Sequence, residues 1–369
     1  MGKRLMILAG GTGGHVFPGL AVAGALGERG YEIVWMGTRG GIEGRLVPEA
    51  GYPIEWVKVS GFRGRGVVGW MLAPFKLMLA VYQALKIVLR VKPDLVLGMG
   101  GFVTGPGGIA AWLTRCDLVL HEQNAVAGMA NRLLAPFAAR LMEGFTGSFQ
   151  GRKKVVVTGN PVRCELLGLP TPDERLLGRK GALRLLVIGG SQGAVALNSK
   201  LPLELSEMVE QGRLIVRHQA GERNLSVAKQ AYSDVGVEAE VISFIDDMAE
   251  AYQWADVVIC RAGALTLAEL SAVGVASILV PFPFAVDDHQ TRNAEHLAAA
   301  SAAYLCPQQE IGTGVIGEWL TELHANRKKL ISMASAARKL SSDLATDLVV
   351  EVCIQLLDSD AQPKVGGGQ

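Results

Sequence analysis

The chain has 369 residues, of which 49% are hydrophobic and 19% charged, a composition that excludes a disordered or solvating polypeptide and, at roughly 100–200 residues per domain, fits two domains or three. Five scattered cysteines (Cys116, Cys164, Cys260, Cys306, Cys353) with no C-x-x-C pair exclude a disulfide framework and a cysteine-rich zinc site and fit a reducing cytosol. The net charge of +1 hides an asymmetry. Residues 1–160 hold 18 Lys and Arg against nine Asp and Glu, and the remainder holds 18 against 26, so the first half suits an anionic partner, either nucleic acid or an acidic membrane surface.

The first apolar run, residues 4–9, ends in Gly10-Gly11-Thr12-Gly13-Gly14-His15. It is too short for a signal-peptide core and enters a glycine-rich loop directly, which reads as a first strand turning into a helix. A second run, 183–188, ends in Gly189-Gly190-Ser191-Gln192-Gly193 about half a chain later, so the halves read as two similar α/β units. Residues 31–36, 94–97, 117–121, 154–157, 213–217, 239–243, 256–260 and 277–280 are also short, Val/Ile/Leu-rich and bounded by turns. Helix-period stretches separate most of them, which predicts parallel sheets covered on both faces. Gly159-Asn160-Pro161 and then Gly168-Leu169-Pro170-Thr171-Pro172 mark a linker or domain boundary. The division expected is 1–162 and 163–341. The last helical stretch, about 343–358, closes one unit or the other, and the tail at 361–369 is expected to be disordered. No stretch reaches the 18 uninterrupted apolar residues of a membrane span.

Three chemistries compete for the first glycine-rich loop. A dinucleotide fingerprint starting at Gly11 needs a third glycine where Val16 stands, and a carboxylate ending the second strand, where Gly37-Thr38 stands. A Walker loop needs Lys in place of His15. What survives is a strand-to-helix turn whose backbone N–H groups can approach an anion. His15, at the carboxyl edge of the first strand, could take a proton from a hydroxyl as a neutral imidazole. The bland alternative is a turn that only packs helix on strand, with His15 as a cap.

Other strand ends are rich in polar or small residues. Residues 98–108 carry six glycines. His121-Glu122-Gln123-Asn124 could line one crevice, or form an ordinary polar loop. Arg261-Ala262-Gly263-Ala264-Leu265-Thr266-Leu267-Ala268-Glu269 suits a helix N-terminus facing a phosphate, with Glu269 able to accept two hydrogen bonds from a ribose diol; otherwise Glu269 is a surface carboxylate. Asp287 to Asn293 is a polar loop entering a helix. The literal Asp-x-Asp, Asp358-Ser359-Asp360, lies at the C-terminus and is taken as chance, so neither metal nor cofactor is expected. Between Trp56 and Pro93 stand seven cations and no acid. Within that span Trp70, Met71, Phe75, Met78 and Leu79 crowd a helix-like segment interrupted by Pro74, beside Arg63, Arg65 and Lys76. An amphipathic basic helix lying on a bilayer has this composition; the alternative is a core helix with exposed cations.

Together these residues resemble the MurG family, the bacterial transferases that move N-acetylglucosamine from UDP onto undecaprenyl-diphospho-muramyl-pentapeptide (lipid I) to give lipid II for peptidoglycan. GGTGGHVFPGLAVA, GMGGFVTGPGG, HEQN, GNPVR, GGSQGA, FIDDM, CRAGALTLAEL and Gln290-x-x-Asn293-Ala294 occur in the family's order over nearly the whole chain. The resemblance implies an α/β fold of GT-B type, two Rossmann-like doubly wound domains facing across a cleft. The lipid acceptor would lie in the first domain, joined by the C-terminal helix 342–360, and UDP-N-acetylglucosamine in the second. It implies that Thr12, Gly13 and Gly14 touch substrate phosphates, with His15 as base and Glu122 as its rival. Asn124 would border the donor sugar, and Arg163 and Ser191 the nucleotide and its diphosphate. Ile245 would meet the uracil through its backbone. Ala264, Leu265, Thr266, Leu267, Ala268 and Glu269 would hold diphosphate and ribose, and Gln290 would read sugar hydroxyls. Phe102 stands where Tyr is also expected, and Ala262 where Ser occurs. The implied protein is peripheral, on the cytoplasmic face of the inner membrane, docked on anionic lipids through Arg63, Arg65, Trp70, Met71, Phe75, Lys76, Met78 and Leu79, and binds no nucleic acid. The alternatives are a UDP-N-acetylglucosamine 2-epimerase of the same fold and a non-catalytic basic protein that binds membrane or nucleic acid.

Overall fold

A computed structural model of the chain describes residues 2–59, 73–190 and 194–359. The chain divides into two compact units: residues up to Arg163 together with those from Leu344, and Cys164–Asp343.

In the first unit β1 (Arg4–Ala9), β2 (Glu32–Gly37), β3 (Ile54–Trp56), β4 (Leu95–Gly100), β5 (Asp117–Glu122), β6 (Arg140–Glu143) and β7 (Val155–Val157) form one sheet in the order β3-β2-β1-β4-β5-β6-β7. Every pair is parallel. Alternate side chains leave a strand on opposite faces, and helices cover both. Leu5 and Ile7 pack with Val16, Val22 and Leu26 of helix Gly13–Glu28 and with Val349, Val350, Cys353 and Leu357 of helix Ala345–Ser359. Met6 and Leu8 pack with Ala80, Ala84, Ile87 and Val88 of helix Ala73–Val91 and with Ala110 and Ala111 of helix Thr104–Leu113. With both faces dry, the strands are continuous apolar runs rather than alternating ones. The last helix of the chain therefore belongs to the core of the first unit.

The second unit carries β8 (Leu183–Ile188), β9 (Leu214–Gln219), β10 (Glu240–Ile242), β11 (Val257–Cys260), β12 (Ala276–Leu279) and β13 (Ala303–Leu305), ordered β10-β9-β8-β11-β12-β13 and again all parallel. Leu183, Leu185 and Val187 pack with Leu197, Leu201 and Leu205 of helix Val195–Glu210. Both units are doubly wound, and each sheet reverses strand order once, between β1 and β4 and between β8 and β11. Open α/β sheets bind ligands outside the carboxyl ends of the strands at such reversals.

Three strands escape the sequence reading: β3, β6 and β13. Each has only three or four residues. β3 and β13 are edge strands with mostly half-exposed side chains, and β6 begins with Arg140 and ends with Glu143, so none shows a long apolar run. Pro74 lies in the first described turn of helix Ala73–Val91, and the part of the expected segment that precedes it lies outside the described residues.

Candidate functional site

At the first reversal, β1 runs into helix Gly13–Glu28 through the glycine-rich turn. Thr12 caps this helix in extended conformation, without a side-chain capping bond and with no acidic residue in the first turn. The N–H groups of the turn thus remain oriented for an anion. The His15 ring lies 3.3 Å from the Gly10 carbonyl and 3.4 Å from Thr12 Oγ1, both through Nδ1. In the tautomer that donates from Nδ1 to the Gly10 carbonyl, the imidazole lone pair is on Nε2. The ring rests on Gly100: a Cβ there would stand 2.8 Å from Nε2, and its φ of +107° suits glycine alone. A Cβ on the neighbouring Gly101 would lie 2.2 Å from the Gly10 carbonyl oxygen. The β4 glycines therefore exist so that the second loop can press against the first and hold His15.

A carboxylate absent from the sequence reading locks the same turn. Glu43 is fully buried. Its Oε2 accepts the Gly11 N–H at 2.9 Å, and its Oε1 accepts the Thr38 N–H and hydroxyl at 2.9 and 2.6 Å. Cβ atoms on Gly10, Gly37 or Gly41 would collide with this side chain. The available signal was one carboxylate among Gly37, Gly40, Gly41 and Gly44.

The His121–Asn124 segment does not line a crevice as a set. His121, Glu122 and Gln123 are buried. His121 Nε2 is 3.0 Å from the Gly159 carbonyl and its Nδ1 is 3.1 Å from Gln123 Nε2, and burial lowers its pKa. Gln123 also donates to the Met99 carbonyl at 2.8 Å. Glu122 accepts from Asn124 N and Nδ2, both at 3.1 Å, on Oε1, and from Gly128 N and Asn131 Nδ2, both at 2.9 Å, on Oε2. Four donors fill the four acceptor positions of a carboxylate, so Glu122 organises the loop. Asn124 is half-buried, and its carbonyl accepts from Ser148 Oγ at 2.7 Å. Glu143 treats the next loop alike, accepting the N–H groups of Gly147 and Phe149. The Arg163 guanidinium lies over the Phe17 ring.

At the second reversal, β11 runs into helix Ala264–Val273. Gly263 caps this helix with no side-chain hydrogen bond and no acidic residue follows in the first turn, so neither the cap nor the first turn supplies a side-chain acceptor to the N–H groups of Ala264, Leu265 and Thr266. Leu267 is buried within the unit and Ala268 half-buried. Glu269 is not a surface carboxylate: it is 6% exposed, and the phenol of the fully buried Tyr252 donates to its Oε2 at 3.0 Å. The surrounding loops are tied mainly through their carbonyls. Arg261 donates to the Val280 and Pro281 carbonyls, both at 3.2 Å, Asn293 to Ala262 at 3.2 Å, and Gln219 to Gly190 and Ser243. Ile245 is buried just before helix Met248–Trp254. Gln290 Oε1 accepts the Phe282 N–H at 2.9 Å, at the head of helix His289–Ala299. Two consecutive left-handed residues, Asp287 and Asp288, lead into that helix. Ser191 lies outside the described residues.

Of the expected membrane patch, Arg63, Arg65, Trp70 and Met71 lie outside the described residues. The rest stands on helix Ala73–Val91 and is exposed: Phe75 65%, Met78 65% and Leu79 52%, with Lys76 beside them. The alternative of a core helix holds only for its later turns, where Ala80, Ala84, Ile87 and Val88 are buried. Among the described residues no helix is long and apolar enough to cross a membrane, and no group of three or more His, Cys, Asp or Glu could hold a metal ion.

The chain is similar to known proteins along nearly its whole length. Residues 5–143 match the glycosyltransferase family 28 N-terminal domain and residues 184–348 its C-terminal domain. The UDP-N-acetylglucosamine–N-acetylmuramyl-(pentapeptide) pyrophosphoryl-undecaprenol N-acetylglucosamine transferase of Marinobacter nauticus is 53% identical, covering 96% of this chain and 97% of the relative. Its counterpart from Nitrosococcus oceani is 52% identical over 96% and 99%. The crystal structure of Acinetobacter baumannii MurG superposes with a TM-score of 0.80 at 39% identity, covering 96% of this chain and 99% of that one. A UDP-N-acetylglucosamine 2-epimerase structure from Listeria monocytogenes gives a TM-score of 0.70 at 15% identity, covering 99% of each chain, which is a likeness of fold alone.

Proposed function

The chain belongs to glycosyltransferase family 28 and, within it, to the MurG family, and from that premise we propose how its residues divide the work. The enzyme is an N-acetylglucosaminyltransferase of GT-B type that carries N-acetylglucosamine from UDP-N-acetylglucosamine to lipid I, giving lipid II in peptidoglycan synthesis. The second unit holds the donor. The diphosphate sits on the N–H groups at the start of helix Ala264–Val273, where the helix dipole favours negative charge, and Ser191 adds a contact to the phosphates. Glu269 accepts from the ribose hydroxyls, the backbone at Ile245 meets the uracil, and Gln290 reads the sugar. The observation that carries this assignment is the uncapped, acid-free start of that helix with one buried carboxylate a turn and a half along it.

The first unit holds the acceptor, whose phosphates approach Thr12, Gly13 and Gly14, with Asn124 bordering the transferred sugar. Transfer is a single displacement with inversion. The C4 hydroxyl of the muramyl sugar forms the new bond to the anomeric carbon as the bond to UDP breaks. His15 Nε2 takes the hydroxyl proton, and the leaving diphosphate keeps its charge on backbone dipoles. Glu122 already accepts from four donors, so we assign it to holding its loop.

The protein docks peripherally on the cytoplasmic face of the membrane through helix Ala73–Val91. The undecaprenyl tail of its acceptor stays in the bilayer, and Phe75, Met78 and Leu79 expose apolar surface next to Lys76. Anionic lipids add the attraction for the cations of the first half.

The deciding experiment incubates the protein with radiolabelled UDP-N-acetylglucosamine and a lipid I analogue. Label should appear in the lipid product only when the analogue is present. Epimerised UDP-sugar formed without acceptor, and no labelled lipid, would sink the reading in favour of the epimerase.

A further inference from the structure

Helix Ala73–Val91 presents more than the apolar side chains of its first turns. Phe75, Met78, Tyr82 and Leu89 stand exposed along it, at spacings that place them in one line. Lys76, Leu79, Gln83, Lys86 and Arg90 recur at alternating intervals of three and four and form the line beside it. The first line is apolar throughout, and the second becomes basic toward the end of the helix. There it borders a cavity of about 610 Å³, whose other walls are the turn after β2 and the segment from the end of β3 to Val59. Four cations line this cavity, Arg39, Lys58, Lys86 and Arg90, together with Trp56 and Gln83. Among the described residues Arg90 pairs with the carboxylate of Glu55, while Arg39, Lys58 and Lys86 have no carboxylate partner. The Arg39 guanidinium instead lies over the Trp56 ring, 5.2 Å from its centroid, and the Lys86 ammonium over the Tyr82 ring at 4.7 Å. The Lys58 N–H donates to Gln83 Oε1 at 2.8 Å, which fastens the segment carrying Lys58 to the helix.

Aromatic faces hold cations in place without neutralising them, and a concave surface lined by one sign of charge concentrates the opposite ion. We propose that this cavity is a headgroup site for an anionic phospholipid, which places its phosphate among Arg39, Lys58, Lys86 and Arg90 and its acyl chains along the apolar line of the same helix. The proposal deepens the docking reading and rests on it. A phospholipid is anionic at one end and apolar at the other, and the helix offers surfaces for both ends side by side. A free phosphate would use the cations alone and leave the apolar line without a role. General attraction to an anionic leaflet is spread over the whole basic surface, whereas a built site saturates at one lipid per protein and distinguishes headgroups.

The test titrates the full chain with dihexanoyl-phosphatidylglycerol below its critical micelle concentration, followed by calorimetry. Dihexanoyl-phosphatidylcholine and inorganic phosphate are the comparison ligands. One phosphatidylglycerol should bind per chain, at least about tenfold more tightly than either comparison ligand. The double variant Lys58→Gln, Lys86→Gln should weaken it at least about tenfold. Arg45→Gln with Lys153→Gln removes two exposed charges outside the cavity and should change it by less than about twofold. UDP affinity and Tm should hold in both, which shows that the fold is intact. Three results would overturn the proposal: no saturable binding, equal weakening in the two double variants, or inorganic phosphate binding as tightly as the lipid, which would mean a small-anion site. Cosedimentation with phosphatidylglycerol vesicles tests the docking reading separately, through Phe75→Ser with Met78→Ser. Loss of vesicle binding in that variant supports docking by this helix. Wild-type vesicle binding there sinks the docking reading and the proposal with it. Vesicle binding that depends on Phe75 and Met78, with no saturable binding of the short-chain lipid, keeps the docking reading and removes the headgroup site.

Discussion

The loops at the carboxyl edges of the two sheets are held by opposite chemistry. In the first unit three buried carboxylates, Glu43, Glu122 and Glu143, accept six backbone N–H groups, from Gly11, Thr38, Asn124, Gly128, Gly147 and Phe149. Around the start of helix Ala264–Val273 the ties run the other way: Arg261, Asn293 and Gln219 donate to loop carbonyls. Carboxylates of the second unit also accept backbone N–H groups, Glu204 at the start of helix Val315–Ala325, Asp256 at the start of β8 and Asp247 at the start of helix Met248–Trp254, whereas helix Ala264–Val273 starts without a side-chain cap. A loop tied by its N–H groups spends them on holding its shape, and in the first edge those at the start of helix Gly13–Glu28 are the ones without a side-chain cap. A loop tied by its carbonyls keeps its N–H groups outward and adds cations behind them. Two sheets of one topology are thus tuned for different work. On the reading proposed above, the second serves the nucleoside diphosphate and the first holds His15 in place.

The largest effect should come from the histidine. His15→Ala should lower kcat about 10²–10⁴-fold and leave UDP affinity, assigned above to the second unit, unchanged. A variant with near wild-type kcat would place the base elsewhere and remove the chemical meaning of the first edge. Next in size is the loss of a carboxylate tie. Glu122→Ala strips the acceptor from four donors and should cost about 3 kcal/mol or more. Amide exchange at Asn124 and Gly128 should accelerate while the loops of the second unit keep their protection; unaltered exchange there would show that the tie is dispensable.

Acid probes the two units through one buried histidine each. His218 sits between Tyr232 Oη and Asn198 Oδ1, each at 3.0 Å, and burial pushes its pKa down to about 4 from 6.5. The unfolded chain protonates first, so stability is fully present above about pH 6.5 and falls as pH drops toward 4, by about 3 kcal/mol in all. His121 in the first unit shifts in the same direction. Urea unfolding between pH 7 and 4.5 measures this, and a flat profile would contradict it. Glu269→Ala should raise the donor KM with a loss of roughly 1.5–3 kcal/mol, against no change in acceptor KM. An unchanged donor KM would take Glu269 out of the site. The smallest effect per residue belongs to the surface: replacing Arg63, Arg65 and Lys76 by Glu should weaken cosedimentation with anionic vesicles by about 1 kcal/mol per cation without altering UDP affinity. Wild-type binding by the triple variant would put the docking face elsewhere.

The sheets were legible because strands buried on both faces are written as short apolar runs, and the glycine-rich turns because a chain turning that sharply needs glycine. What was not legible were roles decided by burial. Glu122 and Glu269 look alike in sequence, each near a strand end among polar or small neighbours. Folding gives Glu122 four donors and sets Glu269 against the buried phenol of Tyr252. Glu43 escaped because its partner Gly11 is 32 residues away, and nothing local marks a carboxylate that will be dry. Helix Ala73–Val91 was half legible: composition announced an apolar, basic segment, but only packing on the sheet divides Phe75, Met78 and Leu79 from Ala80, Ala84 and Ile87.

The helix Ala345–Ser359, which completes the core of the first unit with Val349, Val350, Cys353 and Leu357, has a consequence for how the protein is made. A ribosome delivers the first unit's sheet early, then roughly 180 residues of the second unit, and only then this helix. At about 5–20 residues per second that is a wait of roughly 10–40 s. During it, the apolar stripe of helix Gly13–Glu28 and the strand face beneath it lack their final cover, while Cys164–Asp343 can close its own core without waiting for anything further. The unit synthesised first is therefore the last to finish, and the nascent chain is most prone to aggregation in the half that has already emerged.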